Sequence, residues 1–146
     1  MPGLWTIGYE RATQDALVAA LVDACVELLA DVRALPLSRR AGFSKNSLKA
    51  AVEEAGIEYR HFRDLGTPKE GRDAARKGDY ATLRTVYAGQ LELPEAMAQS
   101  AQLQTLAQER RTCLLCFCGE AEKCHRSLLI EDAFQDFEVH HLHLQI

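Results

Sequence analysis

The feature that most constrains the fold is the alternation, along the whole chain, of short apolar runs with segments of helical periodicity. Five runs are continuously apolar or alternating, as β-strands are, and they span residues 4–7, 26–32, 57–62, 113–118 and 137–144. Between them, apolar residues recur at the spacing of helices that bury one face. Strands that alternate with helices build a mostly parallel sheet covered on both sides. We therefore predict an α/β fold, a three-layer Rossmann-like sandwich.

Capping residues indicate where the helices begin. Such residues occur at Thr13, Ser44, Asp79 and Pro94. A further helix is predicted over residues 126–134. The charged segment 67–78 contains two glycines and is predicted to be a mobile loop or a short irregular helix. Because no linker or repeat divides the chain, we expect one domain over residues 1–146.

Composition excludes several classes of protein. No apolar run approaches the roughly 18–20 residues of a membrane span, and no basic segment followed by an apolar one marks a secretory signal. Five cysteines without such a signal favour a reducing cytoplasm, where thiols stay free, bind metal or do chemistry. The formal net charge of −4 argues against broad binding to duplex nucleic acid, although a local basic rim could contact a strand. We therefore expect a cytoplasmic protein that does not associate with membranes.

Polar and ionisable side chains collect where the predicted strands end. In parallel sheets, ligands bind beyond the carboxyl ends of the strands. The residues at or after the predicted strand ends are Gly8, Tyr9, Asp31, Arg33, Ser38, Arg39, His61, Cys118, Glu120, Cys124, His125 and Arg126. A surface without a site would scatter such residues, so we predict one binding site at this edge of the sheet.

The start of the last predicted helix suggests the chemistry of that site. Backbone N–H groups at a helix start attract anions, an arginine such as Arg126 adds a bidentate fork, and a cysteine such as Cys124 is favoured as thiolate. We therefore predict an anion or phosphate pocket in which Cys124, His125 and Asp31 are catalytic. Its predicted ligand contacts are Gly8, Tyr9, Arg33, Ser38, Arg39, Cys118, Glu120 and Arg126. The alternative is a capped helix whose cysteine packs inward and whose Arg126 pairs with Glu120 or Asp31.

Asp31 comes late in an apolar run, where an unpaired carboxylate is costly to bury. We expect it to pair with Arg33, Arg39 or Arg126. Such a pair would either orient an arginine for a substrate or hold the loop, and both interpretations stay open.

The cysteine cluster admits a metal interpretation. Cys116, Cys118, Cys124 and His125 form a C-x-C-x5-C-H pattern. This is not the paired C-x2-C spacing of zinc ribbons, and buried free cysteines are commoner. We therefore expect no metal and no other cofactor. Cys113 and Cys116 are expected to pack a central strand and Cys25 to face the core side of a helix, so that only Cys118 and Cys124 reach the site edge.

Several motifs, taken together and in order, resemble the bacterial domain of unknown function 488 family. They are Thr6-Ile7-Gly8-Tyr9, Asp31-Val32-Arg33 with Pro36, Ser38 and Arg39, Phe43-Ser44, Leu65-Gly66, Tyr80, Leu114-Leu115-Cys116 and Cys124-His125-Arg126. The resemblance implies a compact cytoplasmic α/β domain with these motifs around one pocket, in a family without a settled reaction. The chain departs from the family where members often show Leu-Gly-Gly, since Thr67 follows Leu65-Gly66. Cys118 also stands where many members carry a glutamate, and Glu120 lies two residues on.

Three functions follow from these residues. The first is an enzyme acting on a nucleotide or a nucleic-acid-related substrate, and the second is a module that binds such a ligand without turnover. The third is a Cys/His metal-binding or redox domain. The expected partner is a small anionic or phosphate-bearing ligand, with nucleic acid as a further possibility, and the sequence does not indicate the oligomeric state.

Overall fold

A computed structural model describes residues 2–117 and 124–144. Its five strands are β1 (Gly3–Gly8), β2 (Leu28–Asp31), β3 (Glu58–His61), β4 (Thr112–Cys116) and β5 (Glu138–Leu142). They form one sheet in the order β3-β2-β4-β1-β5, and every neighbouring pair is parallel. The predicted α/β sandwich is confirmed.

Helices cover both faces of this sheet. They are α1 (Gln14–Asp23), α2 (Lys45–Glu54), α3 (Lys69–Arg76), α4 (Tyr80–Leu91), α5 (Pro94–Glu109) and α6 (His125–Ala133), with a 3-10 turn at Arg63–Leu65. The predicted caps occupy their positions: Thr13 accepts a hydrogen bond from the Ala16 amide and Asp79 from the Thr82 amide, each at 3.1 Å. None of the helices within residues 2–117 and 124–144 is long and apolar enough to cross a membrane.

Two hydrophobic cores lie on opposite faces of the sheet. One is built by α1 and α2, and the other by α4, α5 and α6. The central strand β4 sends Cys113 and Leu115 into the first core and Leu114 into the second. Because β4 is buried on both faces, its sequence is continuously apolar rather than alternating. Cys116 lies two residues after Leu114, on the face that α6 covers.

Two sequence predictions differ from the structure. Within residues 67–78 the chain forms the regular helix α3, which packs on α4 and buries Gly71 against Thr67 and Leu83. Cys25 does not face a helix core, since α1 ends before it. It has a left-handed backbone with φ of 59° and is exposed, as expected for the residue that follows a helix C-cap.

Gly66 allows the segments after β2 and β3 to touch. A Cβ at this position would lie inside van der Waals contact with the Ala34 backbone and 2.7 Å from the Ala34 side chain. The Leu65-Gly66 motif is therefore a requirement of packing, since the loop that carries Arg33 lies directly against it.

We predict that Gly66→Ala lowers the free energy of unfolding by about 1–3 kcal/mol, because the new methyl group displaces the Ala34 backbone. Gly89→Ala is the matched control, since Gly89 lies in α4 with nothing within 4 Å of its added Cβ. That variant is expected to gain up to about 1 kcal/mol from helix propensity. Urea unfolding of both variants measures the difference, and equal stabilities would contradict the close approach.

Candidate functional site

The carboxyl ends of β2 and β4 and the start of α6 meet at one edge of the sheet. β2 and β4 are neighbours, with Asp31 opposite Leu115 in the register. The backbone continues from β2 through Val32, whose carbonyl lies 2.8 Å from Nε2 of His125 at the start of α6. The ends of β2 and β4 and the start of α6 thus converge in the structure, as the sequence predicts for these three elements.

A buried ion pair closes the end of β2. Arg33 donates from Nε to Asp31 Oδ1 at 2.8 Å and from a terminal nitrogen to Oδ2 at 2.7 Å, and the Arg33 amide also donates to Oδ1 at 3.1 Å. Asp31 is 0% and Arg33 6% exposed. Of the three pairings predicted for Asp31, the one with Arg33 is therefore confirmed.

Further groups form hydrogen bonds with both members of this ion pair. The remaining terminal nitrogen of Arg33 donates to the Phe43 carbonyl at 2.6 Å and to the Tyr9 hydroxyl at 3.2 Å, and Tyr59 donates its hydroxyl to Asp31. Burial lowers the pKa of Arg33, but the hydrogen bonds and charge of Asp31 raise it by more, so the guanidinium stays charged. Burial and the Asp31 charge both raise the pKa of Tyr59, which keeps it a neutral donor. Arg33 thus directs its guanidinium into the protein.

Two thiols and an imidazole form the second part of the site. The Sγ atoms of Cys116 and Cys124 lie 2.6 Å apart, and Cys124 Sγ lies 3.6 Å from Nδ1 of His125. Among the described residues, these three side chains are the group whose donor atoms lie within 4.8 Å of one another, as metal ligands would. Both cysteines are almost fully buried, whereas His125 is partly exposed.

The hydrogen bonds of His125 fix which of its ring nitrogens carries a proton and which faces Cys124. A carbonyl oxygen only accepts hydrogen bonds, so the contact with Val32 places a proton on Nε2 and directs Nδ1 towards Cys124. The Tyr87 ring packs edge-on against the imidazole at 5.3 Å. Burial lowers the pKa of His125, but Cys124 and the Val32 carbonyl raise it by more, so the net pKa lies above its ordinary value. This arrangement favours an imidazolium that faces the Cys124 sulfur.

Arg126 extends from α6 across the sheet to β1. It is 1% exposed and donates to the Thr6 hydroxyl at 3.2 Å, and Thr6 in turn contacts His141 Nδ1 of β5 at 2.6 Å. The exposed His141 therefore takes part in a polar contact between neighbouring strands. Arg126 places a buried positive charge near Cys113 and His125, and this charge lowers the pKa of each.

The other residues that the sequence predicts as ligand contacts have different positions and partners. Gly8 ends β1, and the amide of the next residue, Tyr9, donates to the Cys116 carbonyl at 3.2 Å. Ser38 bonds within its own loop, its amide donating to the Ser44 hydroxyl at 3.0 Å, and Arg39 is exposed. The remaining two predicted contacts, Cys118 and Glu120, lie outside the described residues.

Sequence reasoning missed two members of the site. Cys116 packs within β4 as expected and is 1% exposed, but it is the last residue of that strand and its Sγ also contacts that of Cys124. The expectation that only Cys118 and Cys124 reach the edge is therefore wrong for Cys116. Tyr59 was missed as a partner of Asp31, although it lies on the same face one diagonal step away in the register.

The fold is a parallel α/β domain. At the edge of the sheet described above, it holds a cluster of two cysteines and a histidine beside a buried arginine–carboxylate pair. Residues 13–132 match the family described as Domain of unknown function DUF488, and the chain belongs to that family. The resemblance read from the motifs is thus confirmed, although the matched span excludes β1, β5 and the Thr6-Ile7-Gly8-Tyr9 motif. No curated protein and no solved structure gives a significant match.

We predict that His125 titrates above its ordinary pKa of about 6.5 and that Cys124→Ser lowers this midpoint, because Cys124 raises the His125 pKa. NMR titration of the imidazole C–H resonances measures both values. Cys25→Ser is the control and should leave the midpoint unchanged, since Cys25 is exposed and lies beyond the end of α1.

The same shift has a consequence for stability. The pKa of His125 is higher in the folded protein than in the unfolded chain. The contribution of protonated His125 to the free energy of unfolding is therefore fully present below about pH 6.5 and is lost as the pH rises through the pKa of the folded protein. Identical midpoints in the wild type and in Cys124→Ser would contradict the proposed imidazole–sulfur interaction.

Proposed function

We propose that the site is a dithiol redox centre in which Cys116 and Cys124 form a reversible disulfide and His125 accepts the proton of Cys124. The observation that carries this proposal is the distance of 2.6 Å between the Sγ atoms of Cys116 and Cys124. A disulfide bond is about 2.05 Å long, so the sulfurs have roughly half an ångström left to close. Of the functions derived from the sequence, this is the redox form of the Cys/His domain.

His125 distinguishes the roles of the two thiols. Its Nδ1 lies 3.6 Å from Cys124, which makes Cys124 the attacking thiol and Cys116 the resolving one. Cys113 does not compete, because burial raises the pKa of its thiol and the thiolate is the reactive form. The oxidant in this proposal is a small disulfide, RSSR, that enters beside the partly exposed imidazole.

The reaction then proceeds by two exchanges. The Cys124 thiol gives its proton to His125, and the thiolate attacks one sulfur of RSSR, which forms a mixed disulfide and releases RS⁻. The first RS⁻ takes the proton of the Cys116 thiol, and the resulting thiolate attacks Cys124 Sγ, forms the internal disulfide and releases the second RS⁻, which takes the proton held by His125. The two protons lost by the protein end on the two leaving thiolates, so the dithiol and RSSR become the protein disulfide and two RSH.

Asp31 and Arg33 act in this proposal as positioning residues. They flank Val32 and hold each other by a bidentate contact, while Val32 presents to His125 the carbonyl that fixes its tautomer. Loss of either charge leaves the other buried without its partner, which costs about 3–5 kcal/mol and releases this segment.

We predict that one equivalent of oxidised glutathione links Cys116 to Cys124 and lowers the number of thiols that react after quenching and unfolding from five to three. Cys116→Ser is expected to stop at a stable glutathione adduct on Cys124, because the resolving thiol is gone. Peptide mapping by mass spectrometry identifies both products.

Two controls make this result specific. Cys25→Ser removes an exposed thiol elsewhere and should leave the linkage intact. Cys118→Ser tests the neighbouring cysteine in the sequence. If Cys116→Ser still forms an internal disulfide at Cys124 and Cys118→Ser does not, the assignment of the resolving thiol is wrong.

A second candidate is the binding of a small anionic or phosphate-bearing ligand, such as a nucleotide or a nucleic-acid end, at the same edge. The observation that favours it is the first turn of α6, which begins at this edge and carries Arg126. Arg33 supports the wall of such a site, since its guanidinium contacts Asp31, Tyr9 and Phe43. The exposed Arg39 is then the arginine that contacts the ligand.

We predict that inorganic phosphate or a nucleoside phosphate raises the melting temperature and that Arg39→Ala weakens its binding about tenfold, as expected for one charge-assisted hydrogen bond. Arg84→Ala, an exposed arginine of α4 paired with Glu131, is the matched control and should leave binding unchanged. Equal binding by the wild type and Arg39→Ala would remove Arg39 from the site.

A further inference from the structure

We infer that the reduced centre is also a metal site that binds one thiophilic divalent cation of the Zn²⁺ type through Cys116 Sγ, Cys124 Sγ and His125 Nδ1. The inference shares its thiols with the proposed redox function but does not require that function to be correct. It names a ligand for the reduced protein, in which the two sulfurs do not form a disulfide with each other.

The distances between the donor atoms suit a single small cation. Ligands at about 2.0–2.3 Å from a tetrahedral zinc ion lie roughly 3.4–3.8 Å from one another. Cys124 Sγ and His125 Nδ1 already have this separation at 3.6 Å, and all three donor atoms lie within 4.8 Å of one another. The two sulfurs, now 2.6 Å apart, must separate by about 1 Å. A small rotation of one cysteine side chain provides that movement.

The surroundings of His125 are those of a metal ligand. A ligating histidine donates its second ring N–H to a carbonyl or a carboxylate, which fixes the tautomer and aims the lone pair of the other nitrogen. In this protein the Val32 carbonyl accepts from Nε2 at 2.8 Å and leaves Nδ1 directed at the cysteines. A histidine that served only as packing would not require this orientation.

The donor types select the cation. Thiolate and imidazole ligands favour zinc-like ions over Mg²⁺ and Ca²⁺, which prefer oxygen. Two thiolates neutralise the charge of a divalent ion in a site where unbalanced charge is costly. Three protein ligands leave a fourth position for water or a substrate atom, as in catalytic zinc sites.

Metal binding and oxidation compete for the same sulfurs. When a small disulfide RSSR oxidises the metal-bound form, the protein disulfide forms, two RS⁻ leave and the divalent cation is released. The cation therefore protects the thiols, and the oxidised protein is expected to lose its affinity for the cation.

The test uses the full chain, reduced with a phosphine, and titrates it with Zn²⁺ in competition with a chromophoric chelator. We expect one equivalent to bind, with affinity reduced more than about 100-fold in Cys116→Ser or Cys124→Ser and at least tenfold in His125→Ala. Cys25→Ser is the control and should bind as the wild type does. Co²⁺ is expected to give the thiolate charge-transfer band of a site with sulfur ligands.

Circular dichroism of each variant separates loss of a ligand from loss of the fold. Undiminished zinc binding by folded Cys116→Ser and Cys124→Ser, or no binding by the reduced wild type, overturns the metal site. A disulfide that forms in protein unable to bind zinc leaves the redox proposal standing, and zinc binding without disulfide formation leaves the metal site standing. The two proposals therefore fail independently.

Discussion

The ion pair between Asp31 and Arg33 is the interaction on which the site depends. Removing two charges from water costs several kcal/mol per ion, and only good geometry with additional hydrogen bonds offsets that cost. Both requirements are met, because the contact is bidentate and Tyr59 and Phe43 supply further partners. The pair encloses Val32, so the same contacts that neutralise the charges also fix the carbonyl that orients His125.

Sheet order explains why this pair lies beside a dithiol. β4 lies between β2 and β1, so its last residue, Cys116, emerges next to the segment that follows Asp31. The start of α6 returns to the same place and brings Cys124 against Cys116. Two thiolates this close in a buried site repel each other strongly. Protonation, oxidation to a disulfide and binding of a divalent cation would all relieve that repulsion, so the proposed redox function and the inferred metal site share one physical origin.

The fold and part of the site follow from local patterns. Periodicity predicts the sandwich, and the cost of burying a carboxylate predicts a partner for Asp31, because both depend on neighbours in sequence or on burial alone. The contact of Tyr59 with Asp31 depends on the register between β2 and β3, which no single strand encodes. The edge position of Cys116 was missed because the apolar run continues beyond the end of β4, and Cys25 was misplaced because α1 ends before it.

The positions of the charged side chains bear on which anion this edge of the sheet stabilises. Arg33 is neutralised by Asp31, whereas Arg126 lies buried in α6 and lowers the pKa values of both Cys113 and His125 against stronger opposing effects. A cation that disfavours a neighbouring imidazolium favours a neighbouring thiolate for the same reason. Because Cys124 is the N-cap residue of α6, the first turn of that helix is suited to stabilise negative charge on its sulfur. The anion that the helix start attracts is, in this view, first of all the protein's own thiolate.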